Sequence, residues 1–135
     1  MRVAVILMLL IIPAPLLATD AASCSNTDIQ TAINATSSGG TVNIPAGSCS
    51  WSGNVSITGK ALTLAGAGVA STIVTTNAAL NVTCSATNYV VVTGIKFLQG
   101  TSTDPVNFAA SSDPQSSCFR FHHNTITETG TASAA

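Results

Sequence analysis

Val90-Val91-Val92-Thr93-Gly94-Ile95-Lys96-Phe97 and, 29 residues later, Phe119-Arg120-Phe121-His122-His123-Asn124-Thr125-Ile126 carry one pattern twice, with apolar residues at the first, third and eighth positions. Leu62-Thr63-Leu64-Ala65-Gly66-Ala67-Gly68-Val69 shows it 28 residues earlier, and Val42-Asn43-Ile44-Pro45 lies over the start of that unit at an offset of 20. Alternation with a period of two is the mark of a strand with one face buried. A unit of 20 to 29 residues that repeats it has the length of one coil of a solenoid, where each turn rests its inward side chains on the turn below. The pattern therefore predicts an all-β, three-sided parallel β-helix. A β-sandwich or jelly roll also alternates and is the competing fold. Between the runs, however, there is no Asn-Gly or Asp-Gly dipeptide of the kind that closes a two-residue hairpin.

Outward from these repeats, further short runs occur at 55–57, 73–76, 80–84 and 106–108, divided by Ser, Thr, Asn and Gly. Ahead of them all, Asn26-Thr27-Asp28-Ile29-Gln30-Thr31-Ala32-Ile33-Asn34-Ala35 changes period: Ile29, Ala32 and Ile33 stand at i, i+3 and i+4. A short amphipathic helix is predicted here, capped by Asn26 or Thr27, with Asp28 favoured by the helix dipole and Ser37-Ser38-Gly39-Gly40 as the stop.

The first residues read differently. Arg2 precedes an apolar run over 3–17, interrupted by Pro13 and Pro15 and followed by the small residues Ala18 and Ala21. This is the layout of a secretory signal peptide, and a run of this length is too short for the roughly 20 residues of a membrane span. Cys24 is a further candidate, for lipidation, although Asp20 ahead of it argues against that. The expected division is a signal peptide at 1–22, a capping helix and turn at 23–40, the first three to four coils at 41–130, and a truncated or disordered end at 131–135. An uncapped stack leaves its last apolar layer wet, so the chain is expected to be part of a longer protein.

Composition narrows function more than it assigns it. With 7% charged residues, a net charge of -1, one Trp and one Tyr, the chain lacks the basic patch and stacking platform of a nucleic-acid binder. Cys24, Cys49, Cys84 and Cys118 form an even set with no C-x-x-C spacing, so disulfides are expected rather than a zinc site. Three sequons, at Asn34, Asn54 and Asn81, matter only in a eukaryotic secretory pathway.

Ser25-Asn26-Thr27-Asp28-Ile29-Gln30, then Gly39-Gly40-Thr41-Val42-Asn43-Ile44-Pro45-Ala46-Gly47, then Leu62-Thr63-Leu64-Ala65-Gly66-Ala67-Gly68 resemble the amino-terminal cap and first coils of the pectate-lyase-like, right-handed parallel β-helix proteins. Gly94-Ile95-Lys96-Phe97 and the unit at Phe119 resemble later coils of the same fold. The resemblance implies a helix that covers the open end of the solenoid, and a Cys24–Cys49 bridge would tie that cap to the first coil. It also implies, for the whole protein, action on or binding of polysaccharide, with β-elimination assisted by Ca²⁺ as the chemistry of its enzymes. A non-enzymatic adhesin, spike or glycan-binding surface module is the alternative on the same fold.

Asp20, Asp28, Asp104, Asp113 and Glu128 show no spacing that stacks carboxylates on successive coils, so no metal site is expected from the residues themselves. The best polar pair is Arg120 and His122, which alternate outward between Phe119 and Phe121 about 7 Å apart on one strand, with His123 beyond them. They are weak candidates for substrate binding, against a plain solvated face. Lys96 falls over Thr125 and does not extend their row. Asn124 is expected to hydrogen-bond the turn backbone, and Trp51, a candidate sugar platform, is expected to pack against the cap.

Overall fold

The computed structural model describes residues 17–100, 104–110 and 118–128. Period-two alternation becomes strands β1 (Ala18–Asp20), β2 (Gly40–Ile44), β3 (Gly47–Trp51), β4 (Val55–Thr58), β5 (Leu62–Gly66), β6 (Thr72–Thr76), β7 (Leu80–Cys84), β8 (Val90–Thr93), β9 (Lys96–Gln99), β10 (Val106–Ala110), β11 (Phe119–His122) and β12 (Thr125–Glu128). The helix α1 spans Asn26–Ala35.

Every strand pairing among them is parallel. The strands assemble into three sheets, ordered β1-β2-β5-β8-β11, β10-β7-β4 and β12-β9-β6-β3. Chain order thus visits the three sheets in turn and comes back one rung higher, which is a parallel β-solenoid. Val42 stacks on Leu64, Leu64 on Val92 and Val92 on Phe121. Cys49, Val74, Phe97 and Ile126 form a second column, and Val55 and Leu80 with Val106 a third. Val42, Leu64, Val92, Val74, Phe97, Val55 and Leu80 are completely buried. Each such side chain contributes roughly 1.5–3 kcal/mol by leaving water.

The predicted later registers are those observed: Leu62 pairs with Val90, and Val90 with Phe119. The first offset is corrected. Val42 pairs with Leu64 rather than Leu62, and Gly40 takes the place opposite Leu62. A slip of two residues leaves the inward set unchanged, so alternation alone could not detect it. What decides the register is the helix: a Cβ at Gly40 would lie 2.5 Å from Thr36 Cγ2, so the end of α1 fills the inward slot that a side chain would otherwise occupy.

Two of the runs bend, as the turn expected at Asn124 implies. Residues 90–97 break between β8 and β9 at Gly94, and 119–127 between β11 and β12 at His123. These corners stack. Gly94 has φ +73, and a Cβ there would come 2.6 Å from the Gly66 oxygen, so backbone touches backbone at this bend. His123 holds the next corner at φ 54, a left-handed conformation that costs a non-glycine residue about 1 kcal/mol or more. Strands β1 and β3 were not expected from the alternation; β3 reads Gly-Ser-Cys-Ser-Trp and offers little apolar signal.

The helix bounds agree with the sequence reading, but the cap is Ser25, whose Oγ accepts from the Asp28 amide at 3.2 Å, rather than Asn26 or Thr27. Ile29, Ala32 and Ile33 are buried over the solenoid end. Lys60, from the corner after β4, donates to the carbonyls of Ile33 (2.8 Å) and Thr36 (2.9 Å) and satisfies the exposed end of α1. Cys24 is bonded to Cys49 and Cys84 to Cys118, each with a Cα separation of 5.7 Å. Among the described residues no helix is long and apolar enough to cross a membrane. Most of the apolar run at 3–17, and the end at 131–135, lie outside the described residues.

Candidate functional site

The outward face of the five-stranded sheet is built by the residues that alternate with the core. Its register produces two rows that cross all the coils. One runs Ala18, Thr41, Thr63, Val91, Arg120; the other runs Asp20, Asn43, Ala65, Thr93, His122. At about 4.8 Å per rung the second row extends about 19 Å from Asp20 to His122.

Side chains bond along this row as well as standing in it. Asn43 Nδ2 donates to Asp20 Oδ1 at 2.8 Å. Thr93 Oγ1 lies 3.4 Å from His122 Nδ1, and the Nδ1 atoms of His122 and His123 are 2.7 Å apart, a spacing at which one ring N–H donates to the other ring's lone pair. The left-handed backbone of His123 is what turns its ring toward His122, at 4.8 Å between centroids. Arg120 is exposed and His122 half-buried, both outward as expected, while Phe119 and Phe121 point toward the core.

At the other end of the row the surface opens into a groove of about 420 Å³, lined by Asp20, Ala21, Asn43, Pro45, Ala65 and Ala67. Small side chains form its floor, and Asp20 with Asn43 its polar rim. The sequence reading missed these residues because Asp20 falls within the stretch assigned to the leader and β1 carries no alternation of its own.

The remaining candidates resolve by location. Trp51 is fully buried, donates from Nε1 to the Cys24 carbonyl at 2.9 Å and packs edge-on to Phe97 at 6.2 Å, so it is a pillar of the cap and not a sugar platform. Asn124 accepts from the Ile95 amide at 2.9 Å and donates to the Val92 carbonyl at 2.8 Å, which clamps one corner to the coil beneath it. Lys96 pairs with Thr125 on a different sheet. Asn34 and Asn54 are exposed, and Asn81 is half-buried beside Asn107.

Ca²⁺ requires six to eight oxygen ligands, several of them carboxylate. Asp28 is engaged by Ser23 and Asp20 by Asn43, and among the described residues no three acidic, His or Cys side chains come together to hold a metal. Asp113 lies outside the described residues. The described residues do not assemble a Ca²⁺ centre of the kind the resemblance implies. Compared with family models, with curated proteins and with solved structures, the chain gives no match.

Proposed function

We propose that this is an exported β-solenoid protein of the pectate-lyase-like type that binds polysaccharide along the outward rows of its five-stranded sheet. The observation that carries this reading is the row Asp20, Asn43, Ala65, Thr93, His122, with Arg120 beside its far end. A solenoid repeats one outward position per rung, here polar on every coil but that of Ala65, and the rung spacing is comparable to the length of one sugar unit in an extended glycan. Hydroxyl and amide side chains suit sugar hydroxyls, and the Arg120 fork suits the carboxylate of a uronic acid. The two disulfides are consistent with an oxidising compartment.

The test is binding of the secreted protein to pectate and to neutral plant and microbial polysaccharides by affinity electrophoresis and calorimetry. Retardation by an acidic polymer, weakened roughly tenfold in Arg120→Ala through loss of a charge-assisted contact, is the expected result. Equal mobility with and without every polymer would sink it. Unsaturated uronide absorbance, measured in the same samples with added Ca²⁺, separates cleavage from binding alone.

A further inference from the structure

His122 and His123 stand at the far end of the outward row, at a corner that a glycine makes in the coil beneath. That lower corner is Thr93-Gly94, with Gly94 at φ +73. Because His122 pairs with Thr93, the next residue, His123, lies over Gly94, whose amide donates to the His123 carbonyl at 3.1 Å. The left-handed turn that glycine adopts freely is thus made by a histidine at φ 54. Asn124 fastens the corner through its bonds to the Ile95 amide and the Val92 carbonyl.

The product of this costly backbone is the approach of two ring nitrogens, both Nδ1, at 2.7 Å. An N–H of one ring donating to the other accounts for the distance but not for the strain. His123 is exposed, and a hydrogen bond in water gains no more than such a corner costs. Strain of this kind collects at ligand sites. Two neutral imidazoles that bring the same ring atom to one spot have the bite of a chelate. With metal–nitrogen bonds of about 2.0–2.1 Å, a right angle at the metal sets the donors about 2.8–3.0 Å apart, whereas a tetrahedral angle needs about 3.3–3.4 Å. The observed 2.7 Å lies beside the right-angled value. Nitrogen donors in tetragonal geometry select Cu²⁺ or Ni²⁺ over Zn²⁺, and of the two Cu²⁺ binds more tightly.

We infer that His122 and His123 form an open site for one Cu²⁺ ion, both rings ligating through Nδ1 and water filling the remaining positions. A turn of each ring, with the proton held on Nε2, brings both lone pairs onto the ion. Among the described residues no third acidic, His or Cys side chain joins the pair, which is what leaves the site open. Thr93 Oγ1, 3.4 Å from His122 Nδ1, is within reach of a coordinated water. Arg120 stands about 7 Å along the strand on the same face, and its exposure lets water and salt screen its charge from the ion. The site holds whether or not the row binds a glycan.

The experiment titrates copper(II) sulfate into the folded full chain, free of any histidine tag, and follows it by calorimetry and electron paramagnetic resonance. One Cu²⁺ per chain with hyperfine splitting from two nitrogens is expected, with zinc chloride binding more weakly and calcium chloride not at all. His123→Gly is the decisive variant, because glycine already serves the corner beneath at Gly94, so the fold is kept and the melting midpoint should not fall. Its Cu²⁺ affinity should drop by at least the roughly 10- to 100-fold that loss of an outer-sphere partner costs, and His122→Ala should lose as much. Absence of binding, equal binding by the unaltered chain and His123→Gly, a spectrum with a single coordinated nitrogen, or Zn²⁺ held as tightly as Cu²⁺ would each overturn the site.

Discussion

The two ends of the solenoid share their interior columns and differ in what covers them. At the first end Trp51 and the α1 residues Ile29 and Ile33 are almost wholly buried, the Cys24–Cys49 bond ties the approach of the helix to β3, and Lys60 closes the last turn of α1. At the other end Phe108 and Ile126 are 48% and 49% exposed. Phe119 and Phe121 there form, with Phe108, an aromatic layer with centroids 3.8 to 6.2 Å apart. The comparison teaches that a coil does not supply its own lid. Inward residues are sealed only where another element lies on them, and the first coil obtains that from residues earlier in the chain.

Substitution at the two ends should therefore differ most. Trp51→Ala removes the largest buried side chain and its bond to Cys24, and is expected to cost ~3–5 kcal/mol in denaturant unfolding. Phe108→Ala, where the ring is already 48% exposed, should cost under about 1 kcal/mol; similar losses at both sites would contradict this contrast. The disulfides sharpen it. In the chain-entropy model both crosslinks contribute about 3–4 kcal/mol, and Cys84–Cys118, with a sequence separation of 34 against 25, contributes slightly more. Because Cys24–Cys49 also pins the cap, the Cys24→Ser/Cys49→Ser pair is expected to be the less stable in thermal melts, reversing the loop-length order.

Asn124→Ala leaves the Ile95 amide and the Val92 carbonyl without their side-chain partner and should cost about 1–3 kcal/mol, read as a shift in urea midpoint. The smallest effect is expected from Lys60→Met, which keeps the aliphatic stem but strips the helix end of its donor. A loss of about 0.5–1 kcal/mol that grows weaker in high salt would support capping, and no change would remove Lys60 from the lid.

The legible parts of this fold share a cause. The columns through Leu64, Val92 and Phe121 were readable because inward positions must be apolar and recur once per coil. Helix α1 was readable because Ile29, Ala32 and Ile33 share one face. The first register was hidden because Gly40 shows no side chain where the helix fills the space. Strand β1 was hidden because three small or polar residues beside the apolar run at 3–17 carry no periodicity. Of the candidate site, Arg120 and His122 were visible from alternation, whereas the Asp20–Asn43 half was not, since it depends on a pairing between segments more than twenty residues apart.

Which side chains enter the interior, and how often, is written in the order of residues, since burial is a property each residue carries with its own chemistry and period. Which turn rests on which, how Cys84 finds Cys118, and that Asp20 and His122 stand in one row emerge from the stacked coils alone. Those are distances between remote segments, and they come into being when the coils stack.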